Sequence, residues 1–187
     1  VELAKATASI GGLLVVDEAY AEFSSEISAV TLIAQYPNVI VIRTMSKAFA
    51  FAGARLGYLI ADPAVIDALQ LVRLPYHLSA ITQAVAEVAL SFSDELLAGV
   101  DTLIAQREIV QAGLGKLGLT ITPSAANFLL FGGFNQPADQ LWRKLLDRGI
   151  LIRDVGLLGQ LRVTIGTAAE NQAFLSALTE VLAEGDK

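Results

Sequence analysis

The chain has 187 residues, 54% of them apolar, with a formal net charge of −6, no cysteine and one histidine. That composition excludes intrinsic disorder and a disulfide framework or thiolate metal site, and it disfavours non-specific nucleic-acid binding. No apolar run approaches the roughly 20 residues of a membrane span, and the first residues do not read as a secretory leader. The expectation is a soluble cytoplasmic protein with no metal, no nucleic-acid partner and no membrane partner.

In chain order, residues 1–8 read as a helix ending near Gly11-Gly12, a glycine stop. Leu13 to Val16 is a short apolar, β-branched strand and is followed by Asp17-Glu18-Ala19-Tyr20. Between Ser24 and Gln35, apolar residues at Ile27, Val30 and Ala34 predict a short helix. Pro37-Asn38 is a turn, and Val39 to Arg43 is a second buried strand. Ala48 to Ala52 predicts a short helix stopped by Gly53, and Arg55 to Ala61 a third strand. Asp62-Pro63 opens a helix as N-cap and N1 residue, running to Val72. Ser79 to Phe92 is a further helix, and Ser93 caps a long one reaching about Leu117. Thr120 to Thr122 and Asn127 to Phe131 read as strands, and Pro137 to Arg148 as an amphipathic helix. Ile150 to Arg153 and Leu161 to Ile165 are strands, and Ala168 to Ala183 is the closing helix. Thr167 and Glu170 stand at capping-box spacing before it.

The chemistry collects after two of these strands. Polar groups just past a buried strand lie at its carboxyl end, where open α/β sheets bind ligands. The first strand delivers Asp17 and Tyr20; the second delivers Thr44, Ser46 and Lys47, with Arg55 eight residues beyond. Lys47 offers an amine for Schiff-base chemistry. The hydroxyls and the guanidinium suit an anion, most naturally a phosphate. Read alone, Lys47 is a solvated loop lysine; the second cluster at Asp17 is what changes that reading. Arg43 is expected to pair with an acidic neighbour, Glu18 to be structural, and Tyr58 and Trp142 to lie in the core. His77 reads as a loop residue.

The segments VVDEAY and RTMSKAFAFAGARLGY resemble the cofactor site of the fold type I pyridoxal-phosphate aminotransferases. Within these, the likeness is to the histidinol-phosphate aminotransferases of actinobacterial type. It extends through RLPYHLSAITQ, SAANFLLF, RGILIRD and LRVTIGT, so it runs along essentially the whole chain. Phe49-Ala50-Phe51 stands where Phe-Gly-Leu is commoner, a change of packing that removes no chemical group.

The resemblance implies an α/β fold, the C-terminal part of a large domain plus a small domain. Residues 1–92 would belong to the cofactor domain, 93–118 to an inter-domain helix and 119–187 to the small domain, with an N-terminal half missing. It implies pyridoxal 5′-phosphate as cofactor. Lys47 would be its Schiff-base lysine and proton carrier, Asp17 the partner of the pyridine nitrogen and Tyr20 the donor to the phenolic oxygen. Thr44, Ser46 and Arg55 would hold the phosphate. Arg162 would take a substrate carboxylate, Arg153 a substrate phosphate, and Asn127 would either touch the substrate carboxylate or cap the backbone. The implied reaction is amino transfer between histidinol phosphate and 2-oxoglutarate in histidine biosynthesis, in a homodimer, with this fragment inactive by itself. An aromatic amino-acid aminotransferase and a non-catalytic aminotransferase-like module or inactive fragment are the alternatives.

Overall fold

The computed structural model describes residues 1–185; residues 186–187, the end of the expected 119–187 domain, lie outside the described residues. Packing divides the chain into two compact units, Val1–Gly99 and Val100–Lys187.

The first unit opens with α1 (Glu2–Ser9), which ends on Gly11 at φ +68°, a conformation that glycine adopts without a Cβ penalty. Sheet A follows: β1 (Leu14–Asp17), β2 (Val39–Thr44) and β3 (Gly57–Ile60), in the order β1-β2-β3. β1 runs parallel to β2, with Leu14 opposite Val39 and Asp17 opposite Ile42, while β3 runs antiparallel to β2. One face of the sheet carries Leu14, Val16, Val39 and Val41. It closes over Ala4 of α1 together with Val30, Ile33 and Tyr36. The opposite face leaves Val15 and Leu59 exposed. Asp62 caps α2 (Pro63–Val72) by accepting from the Ala64 N–H at 2.9 Å, and Ser79 caps α3 (Ala80–Ser91) by accepting from Thr82.

Helix α4 (Ser93–Lys116) crosses the boundary between the units. In the second unit, β4 (Thr120–Ile121), β5 (Phe128–Gly132), β6 (Arg153–Asp154) and β7 (Gln160–Thr164) form the antiparallel sheet B, ordered β4-β5-β7-β6. The alternating residues Leu129, Phe131, Leu161 and Val163 face one way and are buried. They meet Leu141 and Leu145 of α5 (Ala138–Asp147), Phe174, Leu178 and Val181 of α6 (Ala168–Gly185), and Val110 and Leu114 of α4. Thr167 and Glu170 form the expected capping box: the Thr167 N–H donates to the Glu170 carboxylate at 2.7 Å, and the Glu170 N–H returns to the Thr167 hydroxyl at 3.3 Å.

Four expectations are corrected. Residues 24–35 do not form an α-helix, only a 3₁₀ turn over Ala29–Leu32. Ser28 is extended there (ψ 138°), and its hydroxyl serves the Val30 N–H and Glu18 instead of a helical ladder. Ala48 to Ala52 is not helical either, because Ala50 takes φ +51° and the Phe51 N–H turns back to the Met45 carbonyl; a 3₁₀ turn, Ala52–Ala54, follows it. The strand expected over 150–153 shrinks to Arg153–Asp154, since the Ile150 N–H is held by the Leu145 carbonyl and the Ile152 carbonyl by the Trp142 indole (2.9 Å). Tyr58 is 43% exposed rather than core, because β3 is an edge strand.

Candidate active site

The parallel pairing of β1 and β2 sets the site. Parallel neighbours end at the same edge, so residues following Asp17 and those following Arg43 emerge side by side. The ladder continues one residue past β1, with the Glu18 N–H donating to the Ile42 carbonyl at 2.9 Å. The Lys47 amine then stands 5.5 Å from the centre of the Tyr20 ring, so the two sequence clusters meet in space. At that distance the ammonium form is attracted by the negative face of the ring.

Each side chain here is held by its local turn. The Asp17 carboxylate is exposed and accepts the Ala19 N–H at 3.0 Å, an Asx turn that fixes its direction. The Thr44 hydroxyl donates to the Leu56 carbonyl (3.3 Å) and accepts the Ser46 N–H (3.1 Å), so its one proton is committed to closing the turn that carries Ser46 and Lys47. Buried Met45 and Ala48 anchor that turn from below. Arg55 sits at φ +55°, a left-handed conformation unusual for a residue with a Cβ. Its exposed guanidinium donates to the Ala52 carbonyl at 3.2 Å.

Behind the edge lies an ionic network. The Glu18 carboxylate accepts from Arg43 Nε (3.1 Å) and Nη2 (2.8 Å), from the Ser28 hydroxyl (2.8 Å) and from the Ala29 N–H (2.6 Å). Arg43 also approaches Glu22 at 3.8 Å. Burial pushes the Glu18 carboxyl upward, but the Arg43 and Ser28 side chains and the Ala29 N–H outweigh it and hold the group below its ordinary value. Burial likewise opposes the charge on Arg43, yet its bonds to Glu18 and Tyr58 raise its affinity for the proton.

The second unit gathers the other candidates. Arg153 and Arg162 lie directly opposite one another on β6 and β7, so both project from the face of sheet B away from the core. Arg162 lies over the Phe128 ring at 4.8 Å, and its buried Nε has no hydrogen-bond partner among the described residues. Asn127 precedes β5, and its carbonyl accepts the Ile165 N–H. The structure thus brings Asp17, Tyr20, Thr44, Ser46 and Lys47 to one edge in the first unit, with Arg55 on the turn that returns to β3. It brings Arg153 and Arg162 to one face in the second.

Sequence reading missed two supports. Arg107 of α4, 9% exposed, donates to the Ala126 carbonyl at 2.9 Å and so fixes the residue before Asn127. Asn171 of α6 is buried and ties both backbone groups of Gly166 while donating to Gln106. The only sequence signal was a polar residue recurring on an otherwise core-facing helical stripe. No group of three or more histidine, aspartate or glutamate side chains could hold a metal among the described residues, and no helix among them is long and apolar enough to cross a membrane.

Comparison with known proteins shows what this chain is similar to. The family model "aminotransferase class I and II" matches residues 1–178. A histidinol-phosphate aminotransferase of Mycolicibacterium smegmatis is 62% identical over 172 residues, covering 91% of this chain and 45% of that protein. The chain therefore spans about half the length of the curated relatives it matches. Among solved structures, the histidinol-phosphate aminotransferase from Sinorhizobium meliloti in complex with pyridoxal-5′-phosphate superposes with a TM-score of 0.80 at 32% identity, over 92% of this chain and 49% of that one. The histidinol-phosphate aminotransferase from Clostridium acetobutylicum gives 0.88 at 25% identity, over 98% and 58%.

Proposed function

We propose, from the premise that this chain belongs to the aminotransferase class I and II family, that it serves amino transfer between histidinol phosphate and 2-oxoglutarate. Its α/β architecture is that of the fold type I pyridoxal-phosphate enzymes. That the relatives are histidinol-phosphate aminotransferases supports the reaction, and one observation carries the site: the parallel strand ends that bring Tyr20, three residues past Asp17, beside Lys47.

The donor set fits pyridoxal phosphate by its chemistry. A carboxylate, a phenol, an amine, a hydroxyl and a guanidinium match a basic ring nitrogen, a phenolic oxygen, an aldehyde and a phosphate. When bound, that group supplies the electron sink that lets a proton leave the amino-bearing carbon. In this reading Lys47 would bind the aldehyde and, once the substrate's amine has displaced it, its freed amine would move that proton. Asp17 keeps the ring nitrogen protonated, and Tyr20 donates to the phenolic oxygen. Ser46 and Arg55 hold the phosphate, and Thr44 serves through the turn it closes. Arg162 and Arg153 receive the anions of the substrates, and Asn127 is a further substrate contact; the carboxylates of glutamate and the phosphate of histidinol phosphate are matched by charge-assisted bonds.

The reading assigns residues 1–92 to the cofactor domain, 93–118 to an inter-domain helix and 119–187 to the small domain. It takes the working protein as a cytoplasmic homodimer. The test is amino transfer to 2-oxoglutarate by the protein in its full natural length, with histidinol phosphate and phenylalanine compared as donors. A preference for histidinol phosphate is expected; a preference for phenylalanine replaces the assignment with an aromatic aminotransferase.

A further inference from the structure

We propose that Glu18 and Arg43 form a positioning clamp that sets the distance between the Asp17 carboxylate and the Lys47 amine. The proposal rests on the cofactor reading above and assigns work to two residues that touch neither cofactor nor substrate. Glu18 directly follows Asp17, and Arg43 directly precedes Thr44, four residues before Lys47. Neighbours along a strand point to opposite faces, so the clamp closes on the face away from Asp17 while gripping the same two strand ends. The guanidinium fork closes on one oxygen: Arg43 Nε and Nη2 both donate to Glu18 Oε2, at 3.1 and 2.8 Å. Two charge-assisted bonds from one planar group hold the guanidinium's orientation about that oxygen.

The remaining bonds stiffen it. Glu18 also takes the Ser28 hydroxyl and the Ala29 N–H, which ties down the far end of the loop that begins with Tyr20. Arg43 donates to the Ser28 hydroxyl at 3.0 Å and lies opposite Tyr58 on β3. One carboxylate thus links β1, β2 and the loop bearing the ring beside Lys47. Only 11% of the Glu18 side chain and 22% of the Arg43 side chain are accessible, so water competes weakly for these bonds. The fully buried residues of sheet A's apolar cluster, Val39 and Val41, lie further back along β2.

The test uses the full-length protein loaded with pyridoxal phosphate and three readouts: cofactor affinity, the pH midpoint of the cofactor's visible absorbance band, and the thermal midpoint without cofactor. Glu18→Gln removes the charge and keeps the shape; Arg43→Lys keeps the charge and removes the fork. Val41→Ala, at a fully buried position on the same face of β2, is the control for general loosening. Both clamp variants should weaken cofactor binding by about tenfold or more, the equivalent of one hydrogen bond to a charged group. Both should also move the pH midpoint, whereas Val41→Ala should lower the thermal midpoint and leave the pH midpoint in place. If Glu18→Gln does not fold, Arg43→Lys decides alone. The clamp is overturned if the variants bind and titrate like the unaltered protein, or change only as Val41→Ala does. Lys47→Ala separates the two levels: if the absorbance band survives that change, the assignment of Lys47 itself fails and the clamp fails with it.

Discussion

Replacing Arg162 by methionine should stabilise the protein in the absence of anions and reduce its response to phosphate. Arg162 stands directly across the ladder from Arg153, and like charges so opposed cost about 0.2–1 kcal/mol. Its Nε is buried with no acceptor among the described residues, a further cost of about 1–3 kcal/mol. Against these stands the stacking of the guanidinium on Phe128 at 4.8 Å, about 0.5–2 kcal/mol. Methionine keeps an unbranched apolar stem and removes all three contributions. The balance is a gain of about 1 kcal/mol. The assay is urea unfolding followed by the fluorescence of Trp142, the one tryptophan in the chain and a member of the same unit. It is run with inorganic phosphate and with chloride at equal ionic strength, so that screening is matched. The unaltered protein should be stabilised by phosphate over chloride; Arg162→Met should start more stable and gain less from phosphate. A variant less stable by more than about 1 kcal/mol, outside the range these opposed contributions allow, or one that gains as much from phosphate as the unaltered protein, would refute the reasoning.

Arg153→Ala should lower kcat/KM for histidinol phosphate by about ten- to a hundredfold, one charge-assisted hydrogen bond's worth, and change phenylalanine little; an equal loss for both donors removes the phosphate assignment. Asp17→Asn should retain cofactor while transamination falls by about 100-fold or more, so near-normal turnover would exclude its role at the ring nitrogen. Glu18 has a folded pKa held below its unfolded value, so its contribution to stability is complete above the ordinary carboxylate range and lost as pH falls through the depressed value. Glu18→Gln should therefore flatten the acid limb of the stability profile, and an unchanged limb would contradict the sign. Leu145→Ala, at a fully buried position under sheet B, should cost about 2–5 kcal/mol in urea unfolding.

The strands that organise the first unit were legible because β-branched runs such as Val39 to Ile42 admit few other readings, and the helix from Pro63 was legible because Asp62 and Pro63 each fit one position of a helix start. What failed was decided by side-chain bonds with no periodic signature. Apolar spacing over Ile27, Val30 and Ala34 suggested a helix, but Ser28 is recruited by Glu18 from ten residues away and holds its backbone extended. Ile150 to Arg153 has the composition of a strand, yet Trp142 and the end of α5 take the backbone groups that strand would have used. Candidate site residues were visible where chemistry stands at a strand end: Asp17, Tyr20 and Lys47. Arg107 was not, since an arginine in a helix reads as surface until the fold shows it buried against the Ala126 carbonyl. Arg153 and Arg162 belong to two short strands joined by a glycine-containing link, and the register of those strands sets the two opposite one another.

The role of Lys47 is tested most directly by borohydride reduction of the full-length protein loaded with pyridoxal phosphate, followed by digestion and mass spectrometry. The pyridoxyl label should be found on Lys47 and should vanish in Lys47→Ala. A label on Lys5, Lys116 or Lys144 instead, or an undiminished label in Lys47→Ala, would contradict the site built on the paired ends of β1 and β2.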